Sequence, residues 1–195
     1  MKRRIVVAIT GASGSVFGVR LLEQLRDEAS IETHLILSKA GAMNAAVELD
    51  MSRRDIESLA DETHSDANIG ATIASGSYRT DGMIVAPCSM KTLACIATGV
   101  GGTLVARAAD VTLKERRRLV LLVRESPLNL AHLRNMTAVT EMGAIVFPPT
   151  PAFYTRIDSL DAMIDQTAAR VLSLIGVESP LLKPWAGIEG PPGDR

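Results

Sequence analysis

The sequence predicts a three-layer α/β/α, Rossmann-like single domain built around a parallel sheet. Strand-like and helix-like patterns alternate along nearly the whole chain. The strand segments, such as 4–9 and 119–123, are continuously apolar, as in sheets covered by helices on both faces. The first strand also runs straight into a small-residue turn and then a helical pattern, which is the start of a mononucleotide-binding unit.

The elements follow in order. Residues 4–10 read as a strand and 15–29 as a helix, with Val16, Val19, Leu21, Leu22 and Leu25 on its apolar side. Residues 31–38 are a second strand, and 40–49 and 52–61 are helices, the latter capped by Ser52. The segment 63–79 is rich in Ala, Ser and Gly and reads as a loop holding one short strand around Ala71-Thr72-Ile73. Residues 82–86 form a buried strand stopped by Pro87, followed by a helix over 89–98 and a Gly-rich turn. Helices over 104–115, 130–142 and 160–175 alternate with strands over 119–123 and 144–147. The domain covers 1–182, and the Pro- and Gly-rich stretch 183–195 is predicted as a mobile tail.

Composition narrows the classes. A net charge of −1 gives no sign of nucleic acid or of a membrane surface, and no apolar run approaches the roughly 20 residues of a membrane span. Cys88 and Cys95 have no second pair, which argues against a zinc site or disulfide framework and fits a reducing cytoplasm. The chain is 47% hydrophobic but only 3% aromatic, so its apolar side chains are mostly small; they allow close packing and large interfaces between copies.

Ligands of open parallel sheets bind beyond the carboxyl ends of the strands. Those ends carry Thr10 to Ser15, Ser38-Lys39, Pro87 to Thr92, and Arg124-Glu125-Ser126-Pro127. In the first turn the spacing is Gly11-x-x-Gly14-x-x-x-Gly18, not that of a dinucleotide fingerprint. The second strand ends in Ser38-Lys39 without the carboxylate that would hold a ribose. The turn therefore points to a phosphate ester held on free amide groups at a helix start, with the Ser13 hydroxyl beside it.

Pro87-Cys88-Ser89-Met90-Lys91-Thr92 is a second strand-turn-helix junction, with Ser89 as cap and Lys91 in a first turn, where a cation opposes the helix dipole unless an anion is present. Six cations fall between Arg107 and Arg124. Arg107 and Lys114 are seven apart and share a helix face. Arg124 ends an apolar strand and is predicted to enter the crevice, with Glu125 beside it as an acid or base, while Arg116, Arg117 and Arg118 read as a solvated turn. Glu48 ends a helix, where glutamates are usually at the surface. Arg170 sits among Ala168, Ala169, Val171 and Leu172, so its charge calls for a partner. The three histidines show no metal spacing.

The ordered set Thr10-Gly11-Ala12-Ser13-Gly14, Ser38-Lys39-Ala40, Pro87 to Leu93, Arg107-Ala108-Ala109-Asp110, Lys114-Glu115-Arg116, Arg124-Glu125-x-Pro127-Leu128, His132-Leu133-x-Asn135-Met136 and Pro151-Ala152-Phe153-Tyr154 resembles the UbiX-type flavin prenyltransferases, of the flavin-containing cysteine decarboxylase superfamily. The likeness spans about Ile5 to Trp185. It implies a flavoprotein, usually dodecameric, that joins the dimethylallyl group of dimethylallyl monophosphate to reduced FMN without a metal. The prenylated FMN goes to a UbiD-type decarboxylase. By position, the resemblance implies that Gly11, Ala12, Ser13, Ser38, Ser89, Met90, Lys91, Thr92 and Arg124 hold FMN. It implies that Tyr154 and Arg170, from a neighbouring subunit, bind the prenyl donor, that Arg107 and Lys114 help hold its phosphate, that Glu48 and Glu125 manage protons with Lys114 also catalytic, and that Trp185 closes the pocket. One departure is Asn129-Leu130, where related sequences commonly carry a small hydroxyl residue.

Other classes fit less well. A short-chain reductase needs Tyr-x-x-x-Lys, but Tyr78 and Tyr154 are followed at that spacing by Gly82 and Asp158. A cysteine decarboxylase would carry an Asn-containing segment in place of Pro87 to Thr92, and a catalytic His near the first helices. A flavin store would need no acid–base pair such as Glu48 and Glu125.

Overall fold

The structure is a computed structural model and describes residues 2–187. In chain order the elements are β1 (Arg3–Ile9), α1 (Ser15–Arg26), β2 (Ile31–Leu37), α2 (Lys39–Leu49), α3 (Arg53–Glu57), β3 (Glu62–His64), β4 (Gly82–Cys88), α4 (Met90–Thr98), α5 (Leu104–Lys114), β5 (Arg118–Val123), α6 (Leu130–Glu141), β6 (Ile145–Val146) and α7 (Leu160–Leu174). All six strands are parallel, in the order β3-β2-β1-β4-β5-β6. The order reverses between β1 and β4, so the ligand crevice of this topology lies beyond the ends of those two strands.

The period of two along β1 divides the core. Ile5, Val7 and Ile9 pack on one face against Leu21, Leu22 and Leu25 of α1 and Ala168, Val171 and Leu172 of α7. Val6 and Ala8 pack on the other face, with Leu93 of α4 and Val105, Ala108 and Ala109 of α5. Leu22 is fully buried, and burying such a side chain stabilises by about 1.5–3 kcal/mol. Small residues permit the close approach that the composition suggested. A Cβ on Gly18 would stand 2.4 Å from the Ala86 carbonyl oxygen, so α1 crosses β4 at a distance that only glycine allows there.

Three expectations from the sequence change. The loop over 63–79 has its strand at its start, in Glu62–His64, and Thr72–Ala74 is a turn of 3-10 helix. β3 is an edge strand of three polar residues, so it lacks the apolar run that marks the others. Pro87 does not stop its strand. β4 continues to Cys88 through a register shift after Val85, where the missing proline N–H disturbs no ladder. The predicted helix over 52–61 contracts to α3, with Ser52 and Asp55 forming a reciprocal capping box.

The start of the predicted tail is tied to α7, since the Lys183 N–H donates to Gln166 Oε1 at 2.9 Å and Gln166 Nε2 donates to the Lys183 carbonyl at 3.1 Å. Residues 188–195 of that tail lie outside the described residues. No helix among the described residues is long and apolar enough to cross a membrane.

Candidate active site

A cavity of about 490 Å³ opens at the carboxyl ends of the central strands. Its wall includes Thr10 and Gly11 after β1, Ser38 to Ala40 after β2, Ser89 to Thr92 after β4, and Glu125 after β5. Four separate strand ends therefore meet at one place, as the sequence predicted.

Local chemistry explains how they are held. Ser38 and Ser89 cap α2 and α4, each accepting a bond from a first-turn N–H, Gly41 at 3.0 Å and Thr92 at 3.2 Å. Both helix starts therefore open onto the cavity, and Lys39 and Lys91 lie in their first turns. Among the described residues neither lysine, nor Arg124, belongs to an ion pair. Two helix dipoles and two free ammonium groups make the cavity favourable for an anion. The buried Thr10 side chain joins the first and third turns: its Oγ1 donates to the Pro87 carbonyl at 2.7 Å and accepts from the Ser89 N–H at 2.9 Å.

The turn after β1 departs from the sequence reading. Gly14 caps α1 in the left-handed region, with φ 102°. Its N–H and that of Ser15 both donate to Glu48, at 2.9 Å each. The amide groups predicted to hold a phosphate instead hold this internal carboxylate. Glu48 is thus no idle surface acid, because α2 runs back from Ser38 and delivers its last turn to the start of α1. Partial burial works against the Glu48 charge. The Ser13 hydroxyl and the N–H groups of Ser15 and Gly14 outweigh it and hold the carboxyl below its ordinary value.

A depressed carboxyl stabilises the fold fully above its unfolded pKa, near 4.5, and that contribution is lost as pH falls through the folded value. Glu48 is exposed and solvent screens its charge, so Glu48→Gln should lower stability at neutral pH by no more than about 1 kcal/mol, with the gap to the parent narrowing below pH 4.5. Urea melts at pH 7 and below pH 4 check this; a gap independent of pH would contradict it.

The other predicted residues lie apart from this wall. Ala12, Ser13 and Arg124 do not line the cavity, although Arg124 directly precedes Glu125 and is exposed. Arg107 and Lys114 do share a face of α5, but it meets the segment around Ala74 and Gly76. Arg107 Nε donates to the Ala74 carbonyl at 3.2 Å and its Nη1 pairs with Asp110 at 2.7 Å, and Lys114 pairs with Glu115. Arg170 needs no buried partner, since it lies on the exposed side of α7 and donates to Ser173 Oγ at 2.9 Å. Tyr154 and Trp185, far apart in sequence, pack edge to face with ring centroids 5.2 Å apart, and both are exposed. Asn129 caps α6 by accepting from the His132 N–H, so the departure in the motif is spent on a helix end and not on the cavity wall.

Sequence reasoning missed Met43, Asp66, Cys95, Thr103, Val105 and Ala106, which also line the cavity. Thr103 caps α5, and Asp66 from the loop after β3 adds two acceptors at that helix start, taking the Leu104 N–H at its carbonyl and the Val105 N–H at Oδ1. The apolar members with Met90 give the cavity surface suited to a flat ring beside the helix starts suited to a phosphate. That donor set fits a flavin mononucleotide. Cys88 does not join it, being fully buried with its thiol pushed up to about 12.

Comparison with known proteins agrees with this fold. The Flavoprotein family model matches residues 1–174. The flavin prenyltransferase UbiX of Neisseria meningitidis serogroup B is 53% identical over 188 residues, 96% of this chain and 99% of that protein. The crystal structure of AnUbiX in complex with FMN and dimethylallyl pyrophosphate superposes with a TM-score of 0.94 at 48% identity, covering 97% of this chain and 100% of the other. A dodecameric FMN-dependent UbiX-like decarboxylase from Escherichia coli superposes with a TM-score of 0.92 at 49% identity, covering 94% and 100%. The chain belongs to the UbiX flavin prenyltransferases of the Flavoprotein family.

Proposed function

We propose that the cavity beyond β1, β2, β4 and β5 binds reduced FMN and that the chain transfers a dimethylallyl group to it from dimethylallyl monophosphate. The observation that carries this reading is the convergence of Gly11, Ser38, Ser89 to Thr92 and Glu125 on one cavity in a chain of this family. FMN supplies an electron-rich ring as the acceptor of the prenyl group. The protein's part is to hold both partners and to manage charge.

The α2 and α4 starts, with Lys39 and Lys91, receive phosphate charge. Breaking the donor's carbon–oxygen bond leaves an allylic cation and a phosphate anion, and fixed cations in a dry site favour the anion. Arg124, at the rim, supplies one of them. Glu125 exchanges protons at the reacting ring. Glu48 stays charged at neutral pH and holds the turn that carries Ala12 and Ser13.

One chain does not bring Arg107, Lys114, Tyr154, Arg170 or Trp185 to this wall. We assign Tyr154, Arg170 and Trp185 to the site of a neighbouring copy, where they bind and cover the prenyl donor, and Arg107 and Lys114 to its phosphate, with Lys114 acting in catalysis. Exposed apolar side chains support a large homo-oligomer, a dodecamer in this reading: Val47 and Phe153 are 87% and 84% exposed, and Leu130 and Leu160 are also bare. We place the enzyme in the cytoplasm, where its two cysteines remain free thiols, and make a UbiD-type decarboxylase the recipient of its product.

The test is an anaerobic incubation with reduced FMN and dimethylallyl monophosphate, followed by the mass of the released flavin. A gain of one five-carbon unit supports transfer, whereas an unchanged flavin, bound and released, would make the protein a store. In the same assay Arg170→Ala and Tyr154→Phe should raise the concentration of prenyl donor needed for half-maximal rate, by about tenfold or more for the arginine, with FMN affinity retained. Loss of FMN binding instead would place these residues in the flavin site.

A further inference from the structure

The sequence contains the triplet Glu-Thr-His twice, at Glu32-Thr33-His34 and at Glu62-Thr63-His64. The fold lays the two copies side by side on β2 and β3, with His34 opposite Glu62 and Ile36 opposite His64. Because side chains alternate along strands, His34, Glu62 and His64 share one face of the sheet edge. Their ligand atoms all lie within 4.8 Å of one another. None of the three lines the cavity assigned to FMN. Linear spacing alone hides this cluster, because the two histidines lie thirty positions apart.

We propose that His34, His64 and Glu62 form a binding site for a divalent transition-metal ion of the zinc class. His34 Nδ1 and His64 Nε2 stand 3.0 Å apart, and Glu62 Oε2 lies 4.0 Å from His34 Nδ1. Two imidazole nitrogens each about 2.0–2.1 Å from one tetrahedral zinc ion are about 3.3–3.4 Å apart, so the pair must open by a few tenths of an ångström and the two rings, now only 11° from parallel, must turn to aim both lone pairs at the ion; a carboxylate is a common third ligand. Neutral imidazole suits zinc and its neighbours in the first transition row, not magnesium or calcium.

The surroundings orient His34 as a ligand. It is fully buried, and its Nε2 lies 3.1 Å from Glu32 Oε1. A carboxylate only accepts, so the proton is on Nε2 and the Nδ1 lone pair is bare toward His64. Glu32 is fixed in turn by Arg4 Nε at 3.3 Å, and the Arg4 guanidinium lies 4.6 Å over the Tyr78 ring, whose edge meets His34. A carboxylate behind a ligating histidine is the usual support of a metal site.

Without the ion, His64 Nε2–H donates to His34 Nδ1. When the ion binds, it takes the place of that proton, which moves to His64 Nδ1, so the imidazole stays neutral. Glu62 is 55% exposed and gives the ion a path from solvent. The site would clamp the edge strand just before Asp66, a residue of the cavity wall.

The test uses the full chain, free of any tag and stripped with a chelator, titrated with Co²⁺ and then Zn²⁺. The site predicts one Co²⁺ per chain, the visible absorption of a low-coordinate cobalt, and its displacement by Zn²⁺. His64→Ala and Glu62→Gln should each weaken binding at least about tenfold, and Glu32→Gln about ten- to a hundredfold. Glu62 is exposed, so its variant tests the site even if a histidine variant folds poorly, and FMN binding reports folding for each. The absence of stoichiometric Co²⁺, or an affinity that Glu62→Gln and His64→Ala leave unchanged in folded protein, overturns the proposal.

Discussion

Glu125→Gln is expected to lower prenyl transfer by about 10²- to 10⁴-fold while FMN affinity stays within about twofold of the parent. Glu125 sits at the end of β5 on the cavity wall. Its Oε1 accepts from the Ser126 N–H at 3.0 Å, and Oε2 has no partner among the described residues. One oxygen thus fixes the side chain and the other is left to exchange a proton. Glutamine keeps the volume and the accepting oxygen but cannot take up or release the proton. Anaerobic turnover and a separate FMN titration check the two halves. Turnover near that of the parent would remove Glu125 from the chemistry, and a matching loss of FMN affinity would make it a binding residue.

Thr10→Val should lower folding stability by about 1–3 kcal/mol, the cost of leaving a buried polar group without its partner. Thr10 is 2% exposed, and its hydroxyl both donates to the Pro87 carbonyl and accepts from the Ser89 N–H. Valine has the same shape and neither function. The half-buried Ser89 amide loses its acceptor, and the turn that caps α4 loses its tie to β1. FMN should then bind at least about tenfold more weakly, which is about 1.4 kcal/mol of lost positioning. Thr10→Ser retains both bonds and should restore most of the affinity. Urea melts and FMN titrations of the two variants measure this, and equal FMN affinity in the valine variant would show that the tie does not position the site.

The sequence made the fold legible because the signals were redundant. Continuous apolar strands, small-residue turns and capping serines all implied the same parallel sheet, and the serines at 52 and 89 cap helices as read. It failed where a strand carried no such signal: Glu62-Thr63-His64 is polar and lies at an edge, so nothing in its pattern requires burial. Pro87 misled because proline ends most strands, yet here it falls at a register shift that needs no N–H.

The site was legible at its strand ends, where chain direction and topology alone place residues in the crevice. It was hidden where a contact depends on a helix returning across the fold. The grip of Glu48 on Gly14 spans 34 positions, and Asp66 is tied beside the cavity by the Val105 N–H of α5, 39 positions away. Tyr154 and Trp185 showed no sequence signal of their pairing, which requires the chain to fold back past α7.

The central claim is that separate strand ends of one chain cradle FMN. A crystal structure of the assembled protein grown with FMN tests it most directly. The flavin phosphate and ring are expected in contact with Ser38, with Ser89 to Thr92 and with Arg124 of one copy, and Tyr154 and Arg170 of another copy should close the same site. A flavin bound elsewhere, with Ser38 and Ser89 facing only solvent, would contradict it.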